Sequence, residues 1–504
     1  MTAGGGPPTG SVRHWIERRA CETPDAVSHL FSDGSPELSY SDLRTGAARV
    51  ARRLKAAGAV GGESVATFLG NGRAAVLVLF GIFLGGFRAT PINLAASAEA
   101  HRFALRHSGA RFAVIGAGEH TSLDEAGLDG LAVIDAESLA GSRTMPESTE
   151  PGFLPAAGDP ALLMYTSGTT GRPKGVLHSH RSLLAGGWTT AMAHRLGPQD
   201  RALCVLPHFH INGLCVTLMA PLVSGGSVIV CPRFSVRRFW EDCLEHEATW
   251  FSVVPTIISR LLHHDAEPHA DAVRRLRFGR SASSALPPDV HQAFEARFGV
   301  AIIETMGLTE TAAQILANPL PPAVRKIGSP GIAFGNEVAI LDSCGRILGP
   351  GQAGEIAVRG PNVMKGYLDD EDVTRQTIMP DGWLRTGDLG HVDGDGYVYV
   401  TGRLKELIIK GGENIAPREI DDALYAHPDV VEAAAFAQPC SDYGQRVEAA
   451  VRLKKASTVT LEQLIEHCRS RVGAFRAPDR IHVLEALPKG PSGKIQRNRL
   501  PDMV

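Results

Sequence analysis

The chain has 504 residues, a formal net charge of -3 and 44% hydrophobic residues. A domain usually takes about 100–200 residues, so this length predicts at least two domains of a globular protein. The near-neutral charge gives no basic excess for nucleic acid and no polybasic run for an anionic membrane. We therefore expect neither nucleic acid nor a membrane as a partner, and the oligomeric state stays open.

Three features bear on the cellular setting. Residues 1–10 read MTAGGGPPTG and lack the basic start and apolar stretch of a signal peptide, which predicts a flexible tail. The most apolar run, Ala74–Leu84, is shorter than the roughly 20 residues that cross a bilayer, so we expect a buried helix there. Eight cysteines occur singly, without a C-x-x-C pair, which fits free thiols in a reducing cytoplasm better than a zinc site.

Helix and strand patterns alternate through the first four hundred residues. Ser41 can cap a helix that ends at Gly58. The apolar face of that helix would be formed by Leu43, Ala47, Val50 and Leu54. Short β-branched runs, typical of buried strands, follow at Ser227–Cys231, Ala248–Val254 and Ala301–Glu304. This alternation predicts an α/β fold of stacked layers with largely parallel sheets.

From Glu337 the pattern changes to short strands between Gly- and Asp-rich turns, which indicates a small barrel or an antiparallel sheet. These strands are Glu337–Leu341, Gly354–Arg359 and Gly396–Thr401. The last hundred residues predict a smaller α+β domain with strands Val431–Ala437 and Val447–Leu453 and a helix Leu461–Val472. Thr460 and Gln463 have capping-box spacing before that helix. We place a large N-terminal domain at 11–404 and the C-terminal domain at 405–504.

The segment Tyr165–Gly175 reads YTSGTTGRPKG, with three glycines, four aliphatic hydroxyls and two cations. Glycine lets successive backbone N–H groups turn toward one anion, hydroxyls add donors, and Lys174 adds a positive charge. This composition predicts a phosphate-binding loop. It is not the Walker pattern, because Pro173 stands where that pattern needs its second glycine. The alternative is a plain surface turn, but such turns rarely contain so many glycines, hydroxyl residues and cations so close together in this order.

This loop resembles the signature of the adenylate-forming superfamily, which includes acyl-CoA synthetases, stand-alone adenylation domains and firefly-type luciferases. Six more segments resemble the family's other motifs in order and spacing: Leu206–Gly213, Gly307–Glu310, Trp383–Asp388, Gly402–Ile409, Gly411–Ile415 and Pro488–Lys494. The likeness covers the chain from about Trp15 onward and is nearest to CoA ligases of the oxalate, malonate and fatty-acid type. It implies a two-step reaction. A carboxylate attacks the α-phosphorus of ATP and pyrophosphate leaves; a thiol then attacks the acyl-adenylate and AMP leaves.

The resemblance also implies which residues bind the nucleotide: Thr166, Ser167, Gly168, Thr169, Thr170, Gly171, Lys174, Met306, Gly307, Asp388 and Arg403. Asp388 would accept hydrogen bonds from ribose hydroxyls, and Arg403 would reach the ribose or a phosphate. Glu310 would hold Mg²⁺, with Thr166 as a second candidate ligand, and Thr309 would bind the α-phosphate. Met306 stands where the family usually has tyrosine, so the flat stacking surface for adenine is lost.

Other matched positions concern catalysis and domain movement. Lys494 resembles the family lysine that bridges the acid and the α-phosphate; a unit charge about 4 Å from a phosphate oxygen contributes about 4 kcal/mol at an effective dielectric of 20. His210 resembles the residue that gates the acid pocket, although a packed core histidine is the alternative. Lys405 resembles a hinge about which the mobile C-terminal domain swings. One of its faces would present Lys494, and another would present Gly411 and Gly412 to the pantetheine of coenzyme A.

The acid itself would be bound by His210, Ile211, Ser281, Ala282, Ser283 and Gln314. Small side chains dominate this set, so we expect room for a bulky, largely apolar acid of the fatty, aromatic or polycyclic kind. Arg280 is adjacent but is not counted as a second cation. His178 and His180 have no evident third ligand, which favours a structural or solvated role over a metal site.

Three other functions stay open at this point. The loss of the aromatic residue at Met306 would suit a ligase specialised for the thiol step, supplied with preformed acyl-adenylate. The thiol acceptor could be the phosphopantetheine of a carrier protein instead of free coenzyme A. A catalytically inactive binding module on the same fold is opposed by the complete set of Lys174, Glu310, Asp388, Arg403 and Lys494.

Overall fold

The structure, a computed structural model, describes residues 6–116, 118, 130–141, 153–166, 173–490 and 495–504. Six of the predicted site residues lie outside the described residues: Ser167, Gly168, Thr169, Thr170, Gly171 and Lys494. Within the predicted tail, the carbonyl of Thr9 accepts a hydrogen bond from Trp15 Nε1 at 2.9 Å. No helix among the described residues has both the length and the apolar character needed to cross a bilayer.

The helices follow in chain order. They are α1 (Val12–Glu22), α2 (Tyr40–Ala56), α3 (Arg73–Leu84), α4 (Ala98–Ser108), α5 (Ala136–Ala140), α6 (His180–Ala193), α7 (Ala220–Ser224), α8 (Val236–Glu245), α9 (Pro255–Leu262), α10 (Ala270–Arg275), α11 (Pro288–Phe298), α12 (Glu371–Thr377), α13 (Pro417–Tyr425) and α14 (Leu461–Val472). A π-helix spans Asn212–Met219, and 3₁₀ turns span Thr309–Thr311, Leu404–Glu406 and Arg497–Arg499.

The strands follow in the same way. They are β1 (Val27–Phe31), β2 (Leu38–Ser39), β3 (Ser64–Phe68), β4 (Arg88–Pro91), β5 (Phe112–Ile115), β6 (Ala132–Asp135), β7 (Pro160–Thr166), β8 (Lys174–Ser179), β9 (Arg201–Cys204), β10 (Ser227–Val230), β11 (Trp250–Val253), β12 (Phe278–Ser281), β13 (Ile302–Leu308), β14 (Ala313–Ala317), β15 (Ile332–Ala333), β16 (Glu337–Leu341), β17 (Gly354–Arg359), β18 (Gly366–Tyr367), β19 (Leu384–Val392), β20 (Val398–Arg403), β21 (Ile408–Lys410), β22 (Glu413–Ile415), β23 (Val430–Cys440), β24 (Gly444–Leu453) and β25 (Arg480–Val483).

Two large sheets form the first part of the chain, as predicted. One has the order β15-β14-β13-β12-β11-β9-β10-β1-β2, and its six central strands, β13 to β1, are parallel. The other has the order β18-β8-β7-β4-β3-β5-β6. Side chains of both sheets and of α1, α2, α3 and α6 form one apolar core. The apolar run Ala74–Leu84 lies in α3 and is buried almost throughout, as the sequence indicated.

The later strands form two smaller sheets. The Gly- and Asp-rich region folds into an antiparallel sheet with the order β16-β17-β19-β20, one of the two arrangements that the sequence allowed. The last segment has the order β22-β21-β24-β23, with β25 paired to β24, and α13 and α14 share its separate core. The predicted capping box of Thr460 and Gln463 at α14 is confirmed.

The start of α2 corrects one prediction. Ser39, and not Ser41, caps this helix: its hydroxyl accepts from the backbone N–H of Asp42, whose carboxylate accepts from the N–H of Ser39. The reciprocal bonds satisfy two backbone donors at once, which Ser41 inside the first turn cannot do. The helix ends at Ala56, two residues before Gly58. Its predicted apolar face is buried: Leu43, Ala47, Val50 and Leu54.

The turn from β13 to β14 leaves no room for a side chain at Gly307. A Cβ atom there would lie 1.6 Å from the carbonyl oxygen of Ala313. The pairing of β13 with β14 shifts register between Met306 and Gly307, which brings the two strands close at this point. Glycine is therefore required by the fold at a position where sequence reasoning predicted nucleotide binding.

We expect Gly307→Ala to lower the free energy of unfolding by about 1–3 kcal/mol, the usual cost of forcing extra atoms into packed structure. Urea denaturation followed by circular dichroism measures this loss. Gly394→Ala is the matched control, because a Cβ atom at Gly394 meets nothing within 4 Å. Equal stability of the two variants would contradict the close approach.

Candidate active site

A cavity of about 220 Å³ lies between the N-terminal layers and the last segment of the chain. Four predicted nucleotide-binding residues line it: Met306, Gly307, Asp388 and Arg403. Its opposite wall comes from residues beyond the predicted hinge, and includes Glu406, Arg418, Asp421, Glu432 and Arg497. Segments separated by almost two hundred residues of sequence thus meet at one cavity, which is the convergence that the motifs predicted.

Asp388 and Arg403 form the clearest pair in this cavity. They stand opposite each other on β19 and β20, and Arg403 Nε donates to Asp388 Oδ1 at 2.6 Å. Burial lowers the pKa of Arg403, but the carboxylates of Asp388, Glu406 and Glu310 outweigh it and raise the pKa overall. The guanidinium donates to a buried carboxylate, whose oxygens have further lone pairs for hydroxyl donors.

Glu310 belongs to a second group of polar residues beside this pair. Tyr367 Oη donates to Glu310 Oε1 at 2.9 Å, and Lys174 Nζ lies 4.9 Å from the centre of the Tyr367 ring. Lys174 in turn pairs with Thr166 across β7 and β8. Burial, and then the charge of Glu310, raise the pKa of Tyr367, so the phenol stays a donor. Among the described residues, no donor bonds Glu310 Oε2, which leaves an oxygen ligand for a hard cation such as Mg²⁺.

Sequence reasoning missed Tyr367. This residue follows Glu310 by 57 positions and lies on the two-residue strand β18, which pairs with β8 next to the predicted phosphate loop. No spacing rule connects a residue on so short a strand with a carboxylate so far away in sequence. The contact arises only from the sheet order.

His178 holds the Thr309 turn in place. Its ring nitrogens contact Ser182 Oγ at 2.9 Å and the carbonyl oxygen of Thr309 at 2.6 Å. Burial lowers the pKa of His178 to about 4, so the ring is neutral. His180 is also buried, and its Nδ1 accepts from the N–H of Val12 at 3.4 Å. The structural interpretation of both histidines is confirmed.

The predicted acid-binding residues are mostly buried, and of this set Ser283 alone lines the cavity described above. Ser281, Ala282 and Gln314 are buried, and Ile211 is half-buried against the main core. Burial lowers the pKa of His210 to about 4, so its ring is neutral. Three buried atoms have no hydrogen-bond partner among the described residues: His210 Nε2, Ser281 Oγ and Gln314 Oε1. Ser283 lies at the cavity wall and accepts from Asn212 Nδ2 at 3.4 Å.

Arg280 adds a cation that the sequence analysis set aside. Its side chain, only 1% exposed, donates from Nη1 to Asn212 Oδ1 at 3.0 Å and to Ser252 Oγ at 3.1 Å. Its Nε has no hydrogen-bond partner, and no carboxylate of the described residues pairs with it. Burial lowers the pKa of this guanidinium to about 9. The sequence signal was present: a lone arginine inside a buried strand, one residue before the predicted pocket.

The two glycines predicted for the thiol step lie elsewhere. Gly411 and Gly412 form the turn between β21 and β22, with φ values of 58° and 85° that favour glycine. A Cβ atom at Gly411 would meet Tyr443 and Phe475, and neither glycine lines the cavity. Ile495, the sequence neighbour of Lys494, does line it. Lys405 lies in the turn Leu404–Glu406 between β20 and β21, where the hinge stays a prediction.

Glu304 is a buried acid at the same cavity. It is 2% exposed, and its Oε1 accepts from the N–H of Leu286 at 3.3 Å. Burial raises the pKa of Glu304, and the charge of Arg418 across the cavity offsets this only in part. Oε2 has no hydrogen-bond partner in the described part of the chain. Ionisation of Glu304 in the folded protein therefore lowers the free energy of unfolding.

Comparisons with known proteins agree with this geometry. Residues 16–368 match the model of the AMP-binding enzyme family, and residues 419–494 match that of the AMP-binding enzyme C-terminal domain. A sulfoacetate–CoA ligase of Cupriavidus necator is 46% identical over 96% of each chain. An oxalate–CoA ligase of Arabidopsis thaliana is 34% identical over 96% of each chain. The crystal structure of ATP-bound MatB from Rhodopseudomonas palustris superposes with a TM-score of 0.88 at 29% identity, over 98% of this chain and 99% of that one.

We expect Glu304→Gln to become more stable than the wild type as the pH rises. In the folded protein the pKa of Glu304 is raised above its unfolded value of 4.5. The free energy of unfolding of the wild type therefore falls as the pH rises through the folded pKa, because the proton must leave a buried carboxyl group. The variant has no carboxyl group at this position and lacks this loss. Melting temperatures measured between pH 4.5 and 8 test this. Glu485→Gln, at an exposed position, is the control. Parallel profiles for Glu304→Gln and the wild type would contradict the raised pKa.

Proposed function

The chain belongs to the AMP-binding enzyme family, and from this membership we propose that it activates a small carboxylic acid with a second anionic group. It is an acid–thiol ligase that uses ATP, Mg²⁺ and coenzyme A. The observation that carries the substrate class is the buried Arg280 side chain without a carboxylate partner among the described residues.

A buried cation is costly unless an anion or several hydrogen bonds compensate it. Among the described residues, Arg280 has two neutral partners, Asn212 and Ser252, and its Nε has none. A carboxylate or sulfonate of the substrate would accept charge-assisted hydrogen bonds from this guanidinium. The unpartnered Ser281 Oγ adds a second donor close in sequence. Two of the relatives are named for acids with a second acidic group, sulfoacetate and oxalate, which supports the same class.

The bulky apolar acid predicted from the sequence is the second candidate. What favours it is the small size of Ala282, Ser283 and Ser284 beside the half-buried Ile211. Against it stand the unpaired polar atoms of His210, Ser281 and Gln314, because an apolar acid would bury them without partners. We therefore rank the acid with a second anionic group first.

We assign the nucleotide to the cavity at Asp388 and Arg403. Asp388 accepts hydrogen bonds from ribose hydroxyls while Arg403 holds the carboxylate in position. Met306 packs against the base, and Thr309, held by His178, contacts the α-phosphate. Lys174 adds positive charge from the end of the phosphate loop that contains Ser167, Gly168, Thr169, Thr170 and Gly171.

Glu310 and Thr166 are the proposed Mg²⁺ ligands. Glu310 fits this role because Tyr367 binds one carboxylate oxygen and leaves the other accessible to a ligand. When bound, Mg²⁺ neutralises phosphate charge and orients the leaving pyrophosphate. Tyr367 fixes the position of the Glu310 carboxylate, which would hold the metal.

The reaction that these groups serve has two transfers. A carboxylate oxygen of the acid bonds to the α-phosphorus of ATP, the bond to pyrophosphate breaks, and Lys494 stabilises the charge between the two anions. The thiol of coenzyme A then loses its proton and bonds to the acyl carbon, and AMP leaves. His210, whose ring is neutral because burial lowers its pKa, would gate the acid without forming an ion pair with it. Gly411 and Gly412 would reach the pantetheine after the C-terminal domain turns about Lys405.

We expect a panel of acids to separate the two substrate classes. Arg280→Met should lower kcat/KM for acids with a second anionic group by about 10–150-fold, the value of one hydrogen bond to a charged group. Apolar acids should lose much less. The assay follows AMP, pyrophosphate and thioester separately, with Arg275→Met as an exposed control. A wild-type preference for apolar acids that Arg280→Met leaves unchanged would contradict the proposal.

We expect Lys494→Ala to abolish ATP–pyrophosphate exchange while most of the thiol step from preformed acyl-adenylate remains, because only the first step brings two anions together. Equal loss in both steps for Lys494→Ala would contradict its role.

Asp388→Ala should weaken nucleotide binding in both steps. Robust exchange by the wild type excludes the ligase specialised for the thiol step. Parallel assays with coenzyme A and a phosphopantetheinyl carrier protein identify the acceptor.

A further inference from the structure

We propose that His194 is a specificity-determining residue that binds the second anionic group of the acid together with Arg280. The inference rests on the proposed function, because it assumes that such a group meets Arg280. His194 follows the last residue of α6, is 0% exposed, and lies outside every segment that resembles a family motif. Its position among buried polar groups, and not its sequence context, indicates a role in binding.

The imidazole of His194 packs against the same face of the sheet as Arg280. Its ring centre lies 4.9 Å from that of Phe278 and 6.4 Å from that of Trp250. Phe278 and Arg280 are two residues apart on β12, so their side chains point to one face of the sheet, about 6–7 Å apart along the strand. Ser252 stands next to Arg280 in the register of β11 with β12 and accepts a hydrogen bond from it at 3.1 Å. His194 is therefore a close neighbour of the guanidinium.

The charge of Arg280 acts on this histidine. Burial, and then the charge of Arg280, lower the pKa of His194 well below its usual value, and the amide of Gln314 offsets this only in part. The ring is therefore neutral, with one N–H donor and one acceptor nitrogen. Arg277 also acts on the ring but is itself paired with Asp200. Within the described part of the chain, no carboxylate pairs with His194 or with Arg280.

Several buried polar atoms around the guanidinium have no partner. Both ring nitrogens of His194, Arg280 Nε and Gln314 Oε1 form no hydrogen bond among the described residues. Gln314 is fixed in place, because its Nε2 donates to the carbonyl oxygen of Thr189 in α6 at 3.1 Å. Most buried polar atoms in proteins are hydrogen-bonded, and those that are not lower the stability of the fold. A group of them beside one buried cation indicates a binding site for a polar ligand.

An anionic group is the ligand that these donors fit. It would accept charge-assisted hydrogen bonds from Arg280 Nε and from the N–H of the His194 ring. Gln314 belongs to the predicted acid-binding residues, so His194 extends that set on the side of α6. An apolar group in the same place would leave every one of these atoms without a partner, and the enzyme would thus discriminate against it.

The contact should affect substrate binding more than the chemical step. The second anionic group takes no part in the bond changes, so its contacts are the same in the ground state and the transition state. Loss of such a contact raises KM and leaves kcat nearly unchanged. A histidine with a purely structural role would instead affect charged and neutral acids alike. His101 offers a matched comparison, since it is 3% exposed, lies 5.4 Å from the Phe68 ring, and has an unpartnered Nδ1 among the described residues.

The test compares His194→Met, His194→Gln, Arg280→Met and the control His101→Met in the full-length enzyme. The probes are sulfoacetate and tert-butylacetate, in which a neutral group of similar shape replaces the sulfonate. Thioester formation with ATP, Mg²⁺ and coenzyme A gives kcat and KM for each acid, and the melting temperature is measured alongside. We expect His194→Met to lower the ratio of kcat/KM for sulfoacetate to that for tert-butylacetate by about tenfold, chiefly through KM, as for one hydrogen bond to a charged group. His194→Gln keeps an N–H and should lose less, and His101→Met should leave the ratio unchanged.

An unchanged ratio in folded His194→Met would overturn the proposal, and so would an equal loss for both acids. If His194→Met fails to fold, His194→Gln decides: a lower ratio supports the proposal and an unchanged ratio overturns it. A wild type that prefers tert-butylacetate, or an unchanged ratio in Arg280→Met, would instead be a failure of the proposed function. A ratio lowered by Arg280→Met but by neither His194 variant overturns the role of His194 alone.

Discussion

The ion pair between Asp388 and Arg403 is the contact on which the site depends. It spans two neighbouring antiparallel strands, so the sheet itself fixes the distance between carboxylate and guanidinium. Because Arg403 ends β20, the same strand sets where the chain leaves the N-terminal layers for the last segment. The carboxylate that we propose as the ribose acceptor and the path of the backbone into the smaller domain are therefore determined together. Glu406, two residues beyond Leu404, adds another carboxylate on the far wall of the same cavity.

Charge is distributed differently on the two sides of the site. Each arginine that lines the nucleotide cavity has a carboxylate partner, as in the pairs Arg403–Asp388 and Arg497–Asp421. Next to the predicted acid-binding residues, Arg280 has only neutral partners in the described part of the chain. A region whose charges are already compensated can bind the ribose of a nucleotide chiefly by hydrogen bonds and shape. A region with an uncompensated cation selects for the charge of what enters it. The contrast is the physical basis of the substrate class proposed above.

Much of the architecture could be predicted from sequence because its signals are local. The apolar run of α3, the capping box of α14 and the strands Glu337–Leu341 and Gly354–Arg359 all depend on residues a few positions apart. The motifs also predicted that Met306, Gly307, Asp388 and Arg403 meet at one cavity. Contacts between distant residues could not be predicted in this way. Tyr367 reaches Glu310, and Arg280 reaches Asn212, only through the way in which strands and helices far apart in sequence pack together, and nothing in their spacing records that packing. The mistaken cap at Ser41 had a local cause: two serines stand two positions apart, and only backbone geometry decides between them.

The π-helix Asn212–Met219 follows directly on His210 and Ile211, and the N–H of Ala220 bonds the carbonyl oxygen of Cys215, five residues back. Such a wide turn holds one residue more than an α-helical turn. Removing a single residue next to Asn212 would restore α-helical winding and change the direction of its side chain relative to Arg280 and Ser252, while the strands that carry those two residues stay in place. Insertions and deletions of one residue in this helix are thus a route by which related chains could exchange one acid for another without rebuilding the nucleotide cavity.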